Sequence, residues 1–209
     1  MIRDAVDVLI ILFGFAAFAY FHSLLASIKV KKSLFEGYGS IAAFYRLIYI
    51  LFSLITFYFF YDAVPHPILI IYDLKYPFDF IVLIPQFLSL AGIIWTLKYF
   101  DVSEFIGINQ VIRWFNKKYD MNELDEKLTL NSRGPYKFCR HPLYLFSIIF
   151  LLFRAEIDLF YLTLLFCLIV YFYVGSYYEE KKLVEKFGEE YLEYQFSVPR
   201  IIPFRISKS

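Results

Sequence analysis

Four long runs with almost no charge decide what this chain can fold into: 8–28, interrupted only by His22; 41–61, with Arg46 near its start; 80–97, with Pro85 inside it; and 159–178. A helix needs about 20 apolar residues to cross a hydrocarbon core of roughly 30 Å, so each run is expected to span a bilayer. A fifth apolar run, 142–153, is only about 16 Å long as a helix at 1.5 Å rise per residue. Joined to the last run through 154–158, it reads as the first arm of a tight helical hairpin. So short an arm must tilt little, thin the bilayer, or begin with Arg140 and His141 already in the headgroup layer.

Composition points the same way. Of the 209 residues, 60% are hydrophobic, 22% aromatic and only 20% charged, too oily for a fold that shows water a charged surface. The expected fold is an all-α integral membrane protein, a single membrane-embedded domain over 1–209 with about five transmembrane helices, a short helical hairpin, and interfacial helices at the cytoplasmic face. No charged leader with a short apolar core and a small-residue cleavage site precedes the first run, which is therefore read as a span. If 29–46, 98–140 and 179–209 share one side, that side carries every lysine and arginine except Arg3, Lys75 and Arg154. Positive-inside makes it cytoplasmic, with the amino terminus outside and the carboxyl terminus inside, as five crossings require.

The charge balance excludes other classes. With 21 Lys plus Arg against 20 Asp plus Glu, the net charge of +1 leaves no basic field for a nucleic acid. Cys139 and Cys167, with three histidines, form neither a zinc-binding spacing nor a disulfide framework, so no metal is expected. The segment 101–140 carries Phe105, Ile108, Val111, Ile112 and Phe115 near helical spacing, an amphipathic helix for the interface. Leu183, Phe187, Tyr191 and Tyr194 repeat that spacing before Pro199 and Pro203 end the helix.

Polar groups at membrane depth are costly, so each invites a functional reading. Arg140-His141-Pro142-Leu143-Tyr144 stands at the mouth of the hairpin, where Pro142 suits a first helical turn and backbone N–H groups face an anion. Alternatively Arg140 marks the boundary and His141 caps the helix. Glu179 and Glu180 follow the last apolar run; adjacent helical positions diverge by about 100°, so one is expected to face inward toward a cation and the other solvent. An ordinary solvated helix end is the competing reading. Arg46 either snorkels to the surface or meets a substrate, and His22 either bonds a neighbouring helix or takes part in the chemistry. Cys139, beside Arg140 but without a paired base, reads as packing.

Gly134-Pro135-Tyr136, Arg140-His141-Pro142-Leu143-Tyr144, Glu179-Glu180, Leu183, Phe187-Gly188, Tyr191, Tyr194, Val198-Pro199 and Pro203, in that order, resemble the carboxyl-terminal signature of the isoprenylcysteine carboxyl methyltransferase and phospholipid methyltransferase superfamily. Upstream, Phe21-His22-Ser23-Leu24-Leu25-Ala26, Tyr45-Arg46 and 101–110 look like the branch of NnrU-type proteins and bacterial methanethiol S-methyltransferases. The resemblance implies a membrane methyltransferase using S-adenosylmethionine in a cytoplasmic cofactor region of 101–140 and 179–209. A prokaryotic cell membrane is the expected setting. Cofactor contacts would fall on Leu128, Thr129, Leu130, Asn131, Tyr136, His141, Pro142, Leu143, Tyr144, Glu179 and Glu180, with Arg140, Arg46 and His22 as candidates for the chemistry. Where the prenylcysteine enzymes carry an arginine for the acceptor carboxylate, this chain has Gly175, so a prenylcysteine is a poor fit.

The expected acceptor is a small hydrophobic thiol or a lipid-like molecule entering from the bilayer. Two other readings stand beside it: a sterol-reductase-like enzyme using NADPH, and a non-catalytic NnrU-like membrane protein in respiratory or haem-protein assembly. Oligomeric state is not legible.

Overall fold

The computed structural model describes residues 2–120, 127 and 129–204. They divide between two compact units, Met1–His66 with Asp101–Leu128, and Pro67–Phe100 with Thr129–Ser209.

The first unit contains α1 (Ile2–Ala26), α2 (Ile28–Tyr38), a 3₁₀ turn over Gly39–Phe44 and α3 (Tyr45–Ala63), then α6 (Val102–Ile106) and α7 (Ile108–Phe115). α1 stops at Ser27, whose side-chain oxygen accepts from the Val30 N–H and caps α2. α1 and α3 meet through aromatic edges, Phe15 on Phe60 at 5.8 Å and Phe18 on Phe57 at 5.3 Å between ring centres. Of α1 only Ile11 and Phe15 are buried, while Leu9, Phe13, Tyr20 and Phe21 face outward. An apolar outer surface of this kind suits lipid as solvent. The expected amphipathic helix arrives as α6 and α7, split at Gly107. Its charged side is the inner one: Glu104 and Gln110 are buried, whereas Phe105, Ile108, Ile112 and Phe115 are exposed. Arg113 donates to both Glu104 oxygens at 2.8 and 2.9 Å, and this guanidinium holds the carboxyl far down, at about 2.

The second unit contains β1 (Ile70–Asp73), α4 (Phe78–Ile81), α5 (Leu83–Leu97), a 3₁₀ turn over Gly134–Lys137, α8 (Pro142–Leu152), β2 (Glu156–Asp158), α9 (Leu159–Phe187) and α10 (Glu189–Ser197). The run expected as one helix over 80–97 breaks at Val82, between α4 and α5. Pro85 lacks an N–H and crowds the carbonyl of Ile81, where α4 ends. α5 and α8 pack closely along Ser89, Gly92 and Thr96. A side chain at position 92 would start 2.5 Å from the Phe146 ring, so only glycine admits this approach. Both hydroxyls are satisfied within α5, Ser89 donating to the Gln86 carbonyl and Thr96 to the Gly92 carbonyl, each at 2.8 Å.

An all-α reading misses one feature. β1 and β2 form an antiparallel ladder, with Ile70 opposite Asp158 and Asp73 opposite Glu156, joining the loop before α4 to the bend between α8 and α9. The β-branched run Ile70-Ile71 favours extended backbone there.

Among the described residues, four stretches are long and apolar enough to cross a membrane: Ile2–Ala26, Ile28–Ala63, Phe78–Leu97 and Leu159–Phe187. α8, at 11 residues, is a shorter apolar helix. α9 continues well past the expected end at residue 178. Its 29 residues are about 43 Å long at 1.5 Å each, so its last turns outrun a hydrocarbon core. The helix expected through Tyr194 breaks at Gly188, which separates α9 from α10.

Candidate functional site

α9 carries Glu179 and Glu180 on its overlong end, and three further segments of the same unit converge on them. The turn before α8 brings Arg140 and His141. α10 brings Gln195, and the extended residues after it, 198–200, run back along that turn. The Arg140 and His141 N–H groups donate to the Pro199 and Arg200 carbonyls, each at 2.9 Å. This strap occupies two of the backbone donors that the sequence offered to an anion.

Glu180 is the hub. Its side chain is 3% exposed. Its Oε1 accepts from Arg140 Nε at 2.7 Å and lies 3.2 Å from His141 Nε2. Its Oε2 accepts from Arg140 Nη2 at 3.1 Å, Gln195 Nε2 at 3.0 Å, and Arg200 Nε and Nη2 at 3.1 and 2.9 Å. A carboxylate offers about four lone-pair sites, so Glu180 is saturated by protein donors. Arg140 is equally committed, giving its remaining Nη1 protons to the carbonyls of Gln195 and Val198. The expectation that Glu180 meets a cofactor and Arg140 an acceptor therefore falls on side chains already engaged.

Glu179 differs. Its side chain is 49% exposed, takes the Tyr144 hydroxyl on Oε1, and places Oε2 3.3 Å from His141 Nδ1. Adjacent glutamates thus grip one imidazole from both of its nitrogens, where the helix geometry alone suggested that only one would face inward. Burial opposes charge on His141, and the hydrogen bonds to Glu179 and Glu180 outweigh it, so the ring titrates above its ordinary range. The His141 ring stacks on Tyr144 at 5.3 Å, and Tyr144 stacks on Phe172 of α9 at 4.8 Å, each pair within 5° of parallel. Tyr194 donates to the Tyr136 carbonyl at 2.6 Å, and burial lifts the Tyr136 hydroxyl to about 12. Cys139 is buried and its thiol pushed up to about 11 by that burial, in keeping with packing.

The other expected residues lie as follows. Pro142 is buried at the first position of α8, with Leu143 in the same turn. Asn131 donates to the Tyr99 carbonyl at 2.8 Å and accepts the Arg133 N–H, which fixes the stretch Thr129-Leu130-Asn131 beside the end of α5. Close by, Gly134 has φ +58 and the Tyr99 ring 2.5 Å from where a Cβ would stand, so no other residue fits. Leu128 lies outside the described residues. Arg46 and His22 belong to the first unit. Arg46 donates to the Phe105 carbonyl with its guanidinium over that ring, and His22 Nε2 lies 2.7 Å from the Tyr49 hydroxyl.

Sequence reasoning overlooked Arg200, Gln195 and Phe172. Arg200 had one visible signal, as the sole basic residue between Lys186 and Arg205. Among the described residues, no three His, Cys, Asp or Glu side chains are grouped to hold a metal ion.

A pair of opposite charges at the end of an apolar helix, with aromatic rings alongside, is suited to a small zwitterionic ligand, and comparison with known proteins narrows the class. No family model and no solved structure matches the chain. It is similar to a methanethiol S-methyltransferase of a Pseudomonas species, 35% identical over 104 residues, 49% of this chain and 37% of that protein. It is also similar to methanethiol S-methyltransferase 1 of Bradyrhizobium diazoefficiens, 36% identical over 72 residues, 34% of this chain and 25% of that protein. The methanethiol S-methyltransferase of Crocosphaera subtropica is 30% identical over 115 residues, 54% of this chain and 41% of that protein. The matched stretch is thus less than half the length of each of these relatives. These bacterial relatives point to a methyltransferase.

Proposed function

We propose that this chain is an S-adenosylmethionine-dependent methyltransferase of the membrane, acting on a small hydrophobic thiol or a lipid-like acceptor. The observation that carries the proposal is the Glu179–His141 pair. An exposed carboxylate 3.3 Å from a buried imidazole offers both charges that an amino-acid group needs. The donor's ammonium would replace His141 as the partner of Glu179, and its carboxylate would replace Glu179 at His141 Nδ1. Tyr144 steadies Glu179 through its hydroxyl, and Tyr136, Leu143 and the stretch 129–131 supply the surroundings for the rest of the molecule.

S-adenosylmethionine supplies an electrophilic methyl on a cationic sulfur. What the protein must add is alignment and the removal of water, because charge disperses as the methyl leaves. A thiol acceptor reacts as thiolate: its sulfur forms the new bond to carbon while the bond from carbon to the donor sulfur breaks. In the proposed topology α8 is the fourth of five crossings and α9 the last, the Glu179 region faces the cytoplasm, and the acceptor enters from the bilayer.

Isothermal titration of the purified protein with S-adenosylmethionine, S-adenosylhomocysteine and NADPH tests the reading, followed by transfer of radiolabelled methyl to methanethiol and to lipid acceptors in membranes. The first two ligands are expected to bind and NADPH to give no heat. Binding of NADPH alone selects the reductase, and binding of none selects the assembly protein.

A further inference from the structure

The doublet Glu179-Glu180 splits into two jobs, and the second depends on the strap over 198–200. A neutral imidazole has one donor nitrogen and one acceptor nitrogen. His141 faces a carboxylate oxygen from each of its nitrogens, Glu179 at 3.3 Å and Glu180 at 3.2 Å, an arrangement that only the doubly protonated ring satisfies. Glu180 cannot leave this ring, because Arg140, Gln195 and Arg200 hold it on all its other sides. Arg200 reaches it from the strap, with its guanidinium 5.6 Å from the Tyr173 ring centre and 5.8 Å from that of Tyr177. The strap in turn receives the His141 N–H on the Arg200 carbonyl. The same residue therefore fixes the backbone of His141 and, through Glu180, its side chain.

We propose that Glu180 and Arg200 are positioning residues: together they set the ring plane and the charge of His141, and so the half of the site that receives the donor's carboxylate. This rests on the donor reading above. It makes the strap 198–200 a working part of the site. The charged and titratable groups around the ring are Glu179 and Glu180 of α9, Arg140 beside it, Arg200 of the strap and Tyr144 of α8. Tyr191 and Tyr194 of α10 and the Cys139 thiol are raised by burial and stay neutral.

The two residues pull the His141 charge in opposite directions, and this is what a purely structural role would not reproduce. Removing the anion of Glu180 lowers the proton affinity of the ring; removing the cation of Arg200 raises it. The test is an NMR titration of the imidazole in the full-length protein, which has three histidines, with the His141 signal assigned by its loss in His141→Gln. Glu180→Gln should lower the His141 midpoint by about one pH unit, a tenfold change in proton affinity, and Arg200→Gln should raise it by about half a unit. Arg200→Lys should return it toward the wild-type value. The pH profile of S-adenosylmethionine affinity should move with the midpoint in each variant. Midpoints that stay put, or that move the same way in Glu180→Gln and Arg200→Gln, overturn the proposal, as does an affinity profile that ignores them. Arg200 is partly exposed, so its variants test the idea even if Glu180→Gln does not fold. A wild-type protein that binds no S-adenosylmethionine sinks the donor reading instead, and that is seen before any substitution is made.

Discussion

Glu104 and Glu180 are both buried carboxylates clamped by arginine, yet they are assembled in different ways. Glu104 draws on Gln110, Arg113 and the Lys127 N–H, all within 23 residues of chain. Glu180 draws on residues 15, 20, 39 and 40 positions away, from three other segments. The first arrangement is a staple that holds two short helices. The second also holds a histidine whose other nitrogen meets Glu179, a carboxylate half open to solvent. A charge cluster built from neighbours in sequence closes on itself, whereas one built from distant segments can leave a charged pair at its edge for a ligand.

The sharpest way to break that contrast is to remove each hub. Glu180→Ala leaves the buried Arg140 and the partly exposed Arg200 without their anion, and should cost about 3 to 5 kcal/mol of stability and abolish donor binding. Glu104→Ala should also destabilise, by about 3 kcal/mol, while donor affinity stays within about threefold of wild type. Thermal unfolding in detergent and titration calorimetry read both quantities. Loss of donor binding in Glu104→Ala, with the fold intact, would erase the distinction.

A smaller effect separates the two halves of the doublet. Glu179→Ala should weaken S-adenosylmethionine binding by more than about tenfold, the loss of one charged hydrogen bond of roughly 1.5 to 3 kcal/mol, and leave the unfolding temperature nearly unchanged. Equal losses of stability in Glu179→Ala and Glu180→Ala would contradict the division of roles.

Glu104 and His141 should also respond to opposite ends of the pH scale. Glu104 has its pKa lowered to about 2 by Arg113, so its contribution is present above the ordinary value of 4.5 and lost as pH falls through about 2. His141 is raised, so its contribution is fully present below 6.5 and lost as pH rises through the higher folded value. Unfolding temperature against pH should have a shallower acid limb in Glu104→Gln and a shallower limb above 6.5 in His141→Gln. The smallest expected effect is in Tyr144→Phe, which removes one hydroxyl from Glu179 and should reduce donor affinity about fivefold, near 1 kcal/mol.

Much of the frame could be read without coordinates, because span length and capping are local properties. The long apolar runs fold as helices long and apolar enough to cross a membrane, α8 begins at Pro142, and His141, Tyr144 and Glu179 meet. Other features left no periodic signal. The strap over 198–200 is extended backbone paired with the turn at 140–141, and the β1–β2 ladder joins residues 88 positions apart at Ile70 and Asp158. Neither shows in a hydrophobic pattern. The choice between Glu179 and Glu180 was equally hidden, since two neighbours on a helix have the same composition around them and differ only in what packs against each.

Amino-acid order alone determined that this chain carries helices long and apolar enough to cross a membrane, that α8 begins at Pro142, and that two carboxylates stand together near the end of α9, since uncharged length, proline and paired charges act over a few residues. Only the tertiary structure decided which glutamate is sealed among arginines and which stays open beside His141. That outcome depends on Arg140, Gln195 and Arg200 arriving together, and their convergence comes from packing across distant parts of the chain.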